Sequence, residues 1–186
     1  MRTPREAITT ATKIRIQGAG LHGTLCLRLV DDGLAHVLEH AQTDETSGTW
    51  IGLACADHGH PIGTDVDTAV LTAMCAGREI ADLLWEVPAD LTNPHNEVFH
   101  RAMRALETGD TPLAELHWRD LAAIWSHAWA ANYDVLAYMQ EVGLDRFEPD
   151  APQRWIIASF EHHAGPHGIE APHVHNIVIP HRVESS

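Results

Sequence analysis

Positive charge is scarce in this sequence, which has 12 Lys and Arg residues against 26 Asp and Glu and a formal net charge of -14. Because phosphate binding needs cations, the total charge argues against a protein that coats nucleic acid. The charge is unevenly distributed, however. Residues 11–30 contain Lys13, Arg15 and Arg28 and no acidic residue, whereas residues 64–90 are strongly acidic. A locally basic surface can therefore still meet phosphates.

Long apolar runs are also absent, since none approaches the roughly 18 residues that a membrane-spanning helix needs. The N-terminal segment MRTPREAITTATK lacks the apolar core of a signal peptide. Cysteine is rare, and Cys26, Cys55 and Cys75 form no Cys-x-x-Cys pair, which is typical of buried thiols in a reducing compartment. We therefore expect a cytoplasmic protein without a membrane segment.

The residues that are present predict one globular domain over residues 1–186, since 45% of the chain is hydrophobic and six residues are Trp. Alternation and apolar runs predict strands at 12–17, 23–30, 49–56, 154–163 and from residue 173 onward, although 23–30 could instead begin a helix that continues to residue 41. Helical spacing predicts helices at 31–42, from an N-cap at Thr64 to Glu86, and at 113–142. Residues 87–96 are predicted as a loop, and 97–106 fit either a helix or a strand. This order predicts an α+β fold with an antiparallel sheet and helices packed on one face.

The stretch EAPHVHNIVIP, residues 170–180, places two histidines two residues apart in a predicted strand. Because side chains alternate along a strand, His173 and His175 share one face, with Val174 and Asn176 on the other. Two neutral imidazoles on one face can bind a divalent cation when a third ligand arrives from elsewhere. In a chain with 15 histidines the pattern could also arise by chance.

Three segments in order resemble the plasmid mobilisation relaxases of the HUH endonuclease superfamily: LAHVLEHAQTDETSGTWIGLAC, EVFHRAMRALETGDTPLAELHWRDLAAIW, and QRWIIASFEHH with PHVHNIVI. The resemblance covers roughly residues 12–182 and implies that 97–106 form a strand. It implies metal-dependent nicking of one DNA strand at an origin of transfer, through a covalent 5′-phosphoryl enzyme. Members of this family usually continue beyond the His-x-His strand, so a C-terminally shortened chain is compatible with it. Single-stranded DNA and other proteins of a transfer complex are the implied partners.

The resemblance places the third metal ligand at the end of the preceding strand. His162 and His163 are adjacent there and point to opposite faces, so one of them is expected to ligate. The spacing of eleven residues from His162 to His173 matches that of some conjugative relaxases and favours His162. Glu161 could orient a ligand by accepting its N–H. Mn²⁺ or Mg²⁺ suits the phosphate chemistry, while imidazole ligands also suit Zn²⁺ or Ni²⁺.

The nucleophile is where the sequence departs from the family pattern. Relaxases of this type normally use a tyrosine on the first helix, but residues 1–132 contain no tyrosine. The matching position is His40, and one branch of these relaxases uses histidine. His36, one helical turn earlier, could be the nucleophile instead or could orient His40. If neither acts, the chain would be a degenerate relaxase that binds metal and DNA without cutting.

The cations on predicted strands are the expected phosphate contacts: Lys13, Arg15, Arg28, Arg101 and Arg104. Two other enzyme classes that use His-x-His fit less well. A cupin needs a glutamate four or five residues further on, where Ile179 and Pro180 stand, and a histidine-triad hydrolase needs a third alternating histidine, where Ile177 stands.

Overall fold

A six-stranded antiparallel sheet forms the centre of the fold. The computed structural model describes residues 8–18, 21–30, 48–78, 80–142, 154–162 and 172–180. Within these ranges the strand order is β1-β2-β4-β6-β5-β3, and every neighbouring pair is antiparallel. The strands are β1 (Ile8–Gly18), β2 (Leu21–Val30), β3 (Thr49–Trp50), β4 (Ile80–Glu86), β5 (Trp155–His162) and β6 (His173–Pro180).

Three α-helices in the described residues cover the sheet: α1 (Thr68–Cys75), α2 (Ala89–Glu107) and α3 (Thr111–Val142). The α+β architecture with an antiparallel sheet is as predicted. The two long helices, α2 and α3, pack against each other, and α3 lies on one face of the sheet. The short helix α1 packs on the opposite face, so the helices are not confined to one side. No helix in the described ranges is both long and apolar enough to cross a membrane.

The core beneath α3 forms because the helix presents an apolar stripe at helical spacing. Trp125, Ala128, Leu136 and Met139 pack on strand residues that include Trp85. A buried polar contact crosses the same interface. Asn132 of α3 and Asn176 of β6 are fully buried and exchange two amide hydrogen bonds of 3.0 Å, and Asn176 also accepts one from Ser159 Oγ at 2.6 Å. Asn176 is therefore structural, as its position on the face opposite the histidines predicted.

The second core lies on the other face of the sheet, where α1 and the segment around β3 cover strand side chains. Its members include Trp50, Leu71, Ile80, Phe160 and Ile177. Cys55 and Cys75 belong to this core, and burial raises the pKa of the Cys75 thiol to about 11 and raises that of Cys55. The three cysteines are buried and free, as predicted.

The prediction of one helix from Thr64 to Glu86 is wrong. The N-cap is Asp67, whose carboxylate accepts from two backbone N–H groups, and α1 ends at Cys75. Gly77 then adopts a φ of 67°, a left-handed conformation that suits glycine. The apolar residues after it form β4, a central strand buried on both faces. Such a strand lacks polar alternation and resembles a buried helix in sequence.

The strand implied for residues 97–106 by the family resemblance is also wrong, because these residues belong to α2. That helix begins at Ala89, inside the predicted loop, and contains Pro94. The predicted strand at 49–56 is shorter than expected, since only Thr49 and Trp50 pair in the sheet before a turn and a 3₁₀ helix at Ala56–His58. The predicted helix at 31–42 lies outside the described residues.

Candidate metal centre

Three histidines meet at one end of the two central strands, β5 and β6. The ring centre of His162 lies 5.2 Å from that of His173 and 5.1 Å from that of His175, and the last two are 5.0 Å apart. Three imidazoles that share one ion at a metal–nitrogen distance near 2.1 Å have ring centres about 5 Å apart. The spacing of this cluster therefore fits the donor set that the sequence predicted.

The strand register explains why these side chains converge. His162 of β5 is the direct antiparallel partner of His173 of β6, and Phe160 is the partner of His175. Directly paired residues project from the same face, and residues two apart along a strand do so as well. All three histidines therefore share the face that carries Phe160 and the second core. We call this the histidine face.

A buried carboxylate holds one of the three rings. Asp82 Oδ2 of β4 lies 2.9 Å from Nδ1 of His175, and Asp82 is fully buried. An ionised carboxylate can only accept a hydrogen bond, so with Asp82 ionised the proton of His175 lies on Nδ1 and its lone pair on Nε2. Carboxylates in this position fix the tautomer and orientation of metal-binding histidines.

Asp82 is a site residue that the sequence pattern did not predict, because its segment was assigned to a helix. The signal available was a single acidic residue inside the apolar run IADLLWE. On a strand, Asp82 shares a face with Leu84 and Glu86, and their register partners on β6 are Ile177, His175 and His173. A carboxylate that is buried on a central strand needs a partner, and His175 is that partner.

Burial places the opening of the cluster on the side of His173. His162 is 8% exposed and His175 is 6% exposed, whereas His173 is half-buried. The register partner of His173 on β4 is Glu86, which is exposed. A ligand would therefore approach past these two residues.

The ring orientations do not yet converge on a point. In the described parts of the chain, no group of three or more His, Cys, Asp or Glu side chains is arranged so that it could hold a metal ion. The rings of His162 and His173 are stacked with their planes 8° apart, so their nitrogens lie in nearly parallel planes. The donor type and the spacing of the three rings fit a divalent cation. For the three ring nitrogens to converge on one point, one ring must rotate about its side-chain torsion.

Glu161 does not orient a ligand from this side, contrary to the sequence-based suggestion. It lies on the opposite face of β5, the face on which α3 packs with Trp125. Burial raises the pKa of the Glu161 carboxyl, and the Trp125 side chain lowers it by a smaller amount. His163, His36 and His40 lie outside the described residues.

The predicted phosphate contacts fall in two places. Lys13 and Arg15 are on β1 and Arg28 is on β2, and the backbone register assigns all three positions to the histidine face. Their register partners are Cys26, Thr24 and Asp82, respectively. Arg101 and Arg104 instead lie on α2 and are exposed.

Comparison with known proteins identifies no relative of this chain. No family model matches the chain, and no curated protein matches it.

Proposed function

We propose that the chain is a metal-dependent relaxase that nicks one strand of single-stranded DNA at an origin of transfer. The observation that carries the proposal is the cluster of His162, His173 and His175, with Asp82 fixing one ring. The cluster joins the His-x-His pair to a third imidazole from the neighbouring strand, which is the arrangement that the family resemblance implies. The HUH-like identity of the fold is part of the same proposal.

The three histidines would hold a divalent cation, Mn²⁺ or Mg²⁺, which when bound supplies Lewis-acid stabilisation to the phosphate oxygens. Asp82 keeps the Nε2 lone pair of His175 available by retaining the proton on Nδ1. Fully buried Asp82 and nearly buried His175 also exclude water from the inner side of the cluster. The scissile phosphate would therefore enter beside His173.

The proposed nucleophile is His40, with His36 as the second choice. A neutral imidazole nitrogen bonds to phosphorus, and the bond from phosphorus to the 3′ oxygen breaks with its electron pair on that oxygen. The proton released by the ring passes through solvent to the oxygen, which leaves a 3′-OH and a 5′-phosphoramidate on the protein.

Gly48 is the described residue nearest to His40 in the sequence. Gly48 lies against the Phe160 ring, because a Cβ at this position would be 2.4 Å from the ring Cε1. Phe160 is the register partner of His175. Eight residues separate Gly48 from His40, so the extended chain limits their separation to about 27 Å.

A second function is favoured by the absence of tyrosine from residues 1–132. In that case the chain binds a cation and single-stranded DNA but forms no covalent bond to it. The two functions differ in one observable product, the covalent adduct.

The test incubates the purified protein with Mn²⁺ and a pool of 3′-biotinylated single-stranded oligonucleotides with a random central segment. Nicking transfers the biotinylated fragment to the protein, where denaturing electrophoresis detects it and sequencing identifies the site. We expect the adduct with Mn²⁺ and none with EDTA. A protein that binds the oligonucleotides but never forms the adduct would be the non-cutting relative.

Matched variants assign the roles. His173→Ala with His175→Ala should abolish the adduct, whereas His127→Ala, an exposed histidine of α3, should leave it intact. Peptide mapping is expected to place the adduct on His40. Full activity of His40→Ala would remove that residue from the mechanism, and full activity of the double variant would remove the metal centre.

A further inference from the structure

The five cations that the sequence offers as phosphate contacts divide into two groups by their place in the fold. Lys13, Arg15 and Arg28 occupy register positions on the histidine face, on β1 and β2. Arg101 and Arg104 lie on α2, which packs against α3. Because α3 covers the other face of the sheet, the second group is separated from the histidines by the sheet and a helix.

A row of paired backbone positions leads from the histidine cluster to the first group. His173 of β6 pairs with Glu86 of β4, Glu86 pairs with Thr24 of β2, and Thr24 pairs with Arg15 of β1. Neighbouring strands are about 4.8 Å apart, so position 15 is roughly 14 Å from position 173 across the sheet.

The charge of each region supports the same division. The described ranges of β1 and β2 contain three Lys and Arg residues and no acidic residue. On α2, Arg101 forms an ion pair with Glu97 one helical turn away, which neutralises part of its charge. A phosphate backbone would therefore meet positive charge along β1 and β2, beyond Glu86 of β4, and a mixed surface along the helix.

We propose that Lys13, Arg15 and Arg28, and not Arg101 and Arg104, bind the phosphates of the single-stranded DNA that flank the cleaved bond. The strand would run from the opening beside His173 across β4 and β2 to the edge strand β1. This inference rests on the proposed function, since it extends the DNA path away from the same cluster.

Two double variants with equal change in charge test the proposal. Lys13→Gln with Arg15→Gln removes two positive charges from β1, and Arg101→Gln with Arg104→Gln removes two from α2. Arg28 is left unchanged because it pairs in register with Asp82, which contacts His175. Binding of a fluorescein-labelled 20-nucleotide oligo-dT is measured by anisotropy in EDTA over a series of salt concentrations.

Each phosphate contact to a single strand contributes about 0.7 to the slope of log affinity against log salt concentration. Loss of two contacts should lower the slope of the β1 variant by about 1.4 and weaken binding roughly 25-fold at 0.1 M salt. The α2 variant should bind as the wild type does. Glu86→Gln removes the carboxylate that stands in the row and should strengthen binding.

Equal losses in the two double variants would show that only the total charge matters and would overturn the inference. An unchanged slope in the β1 variant would overturn it as well, provided that its circular dichroism and melting temperature match those of the wild type. If the β1 substitutions prevent folding, two single variants are compared instead. Arg15→Lys keeps the charge and Arg15→Gln removes it, and the comparison is of their salt-dependent DNA binding. A wild type that nicks DNA while the β1 variant binds normally refutes only this inference. A wild type that never forms the adduct refutes the proposed function.

Discussion

Replacement of Asp82 by Asn tests the account of the cluster at its best-defined contact. The carboxylate is fully buried and lies 2.9 Å from Nδ1 of His175. Asn has nearly the same shape but is neutral, so a charge-assisted hydrogen bond becomes a neutral one at best. Hydrogen bonds to charged groups contribute about 1.5–3 kcal/mol, against about 1 kcal/mol for neutral ones. The difference of about 1–2 kcal/mol predicts a loss of Mn²⁺ affinity of roughly 5- to 30-fold.

The Asn amide can also donate to Nδ1, which would move the ring proton to Nε2 and block that nitrogen as a ligand. Isothermal titration of Mn²⁺ measures the affinity, and the melting temperature reports whether the variant is folded. Asp90→Asn, an exposed carboxylate in the first turn of α2, is the matched control and should bind Mn²⁺ as the wild type does. A folded Asp82→Asn variant with wild-type affinity would refute the role of this contact.

Three further predictions concern stability and packing. Burial raises the Glu161 pKa above its ordinary value of 4.5, so the folded protein loses stability as pH rises through that region. The variant Glu161→Gln should therefore be more stable than the wild type at pH 7 but not at pH 4, as measured by urea titrations. Asn132→Ala leaves polar groups of buried Asn176 unsatisfied and should lower the unfolding free energy by about 1–3 kcal/mol. An unfolding free energy equal to that of the wild type would contradict the hydrogen-bond network. Gly48→Ala drives a Cβ into the Phe160 ring and should weaken Mn²⁺ binding. Adding Phe160→Leu should restore Mn²⁺ binding. If the double variant binds Mn²⁺ no better than Gly48→Ala, the Phe160 ring does not link Gly48 to the histidine cluster.

The His-x-His strand and its neighbour could be predicted because their sequence signals are local. In β6 the two histidines are two residues apart and are followed by an apolar run, so alternation alone places them on one face. The long helix α3 was equally accessible, because its apolar stripe from Leu121 to Met139 repeats at helical spacing over many turns.

The sequence signals failed where tertiary burial overrides periodicity. In β4, Ala81, Leu83 and Trp85 face one core, whereas the other face mixes apolar Ile80 and Leu84 with acidic Asp82 and Glu86. The alternation that marks a strand is therefore incomplete. This error hid Asp82, since its contact with His175 spans 93 residues and exists only through strand pairing. In α2 the Asn-Pro pair at residues 93–94 favoured a loop, because Pro94, the sixth residue of the helix, cannot donate the backbone hydrogen bond that a helix would form there.

The most direct test of the central claim is pulsed electron paramagnetic resonance of the Mn²⁺-loaded protein. The claim is that His162, His173 and His175 converge on one divalent cation. It predicts nitrogen couplings from three imidazoles, and couplings from fewer in each single His→Ala variant. A spectrum of fully hydrated Mn²⁺ without imidazole nitrogen, in a folded wild-type protein, would contradict it.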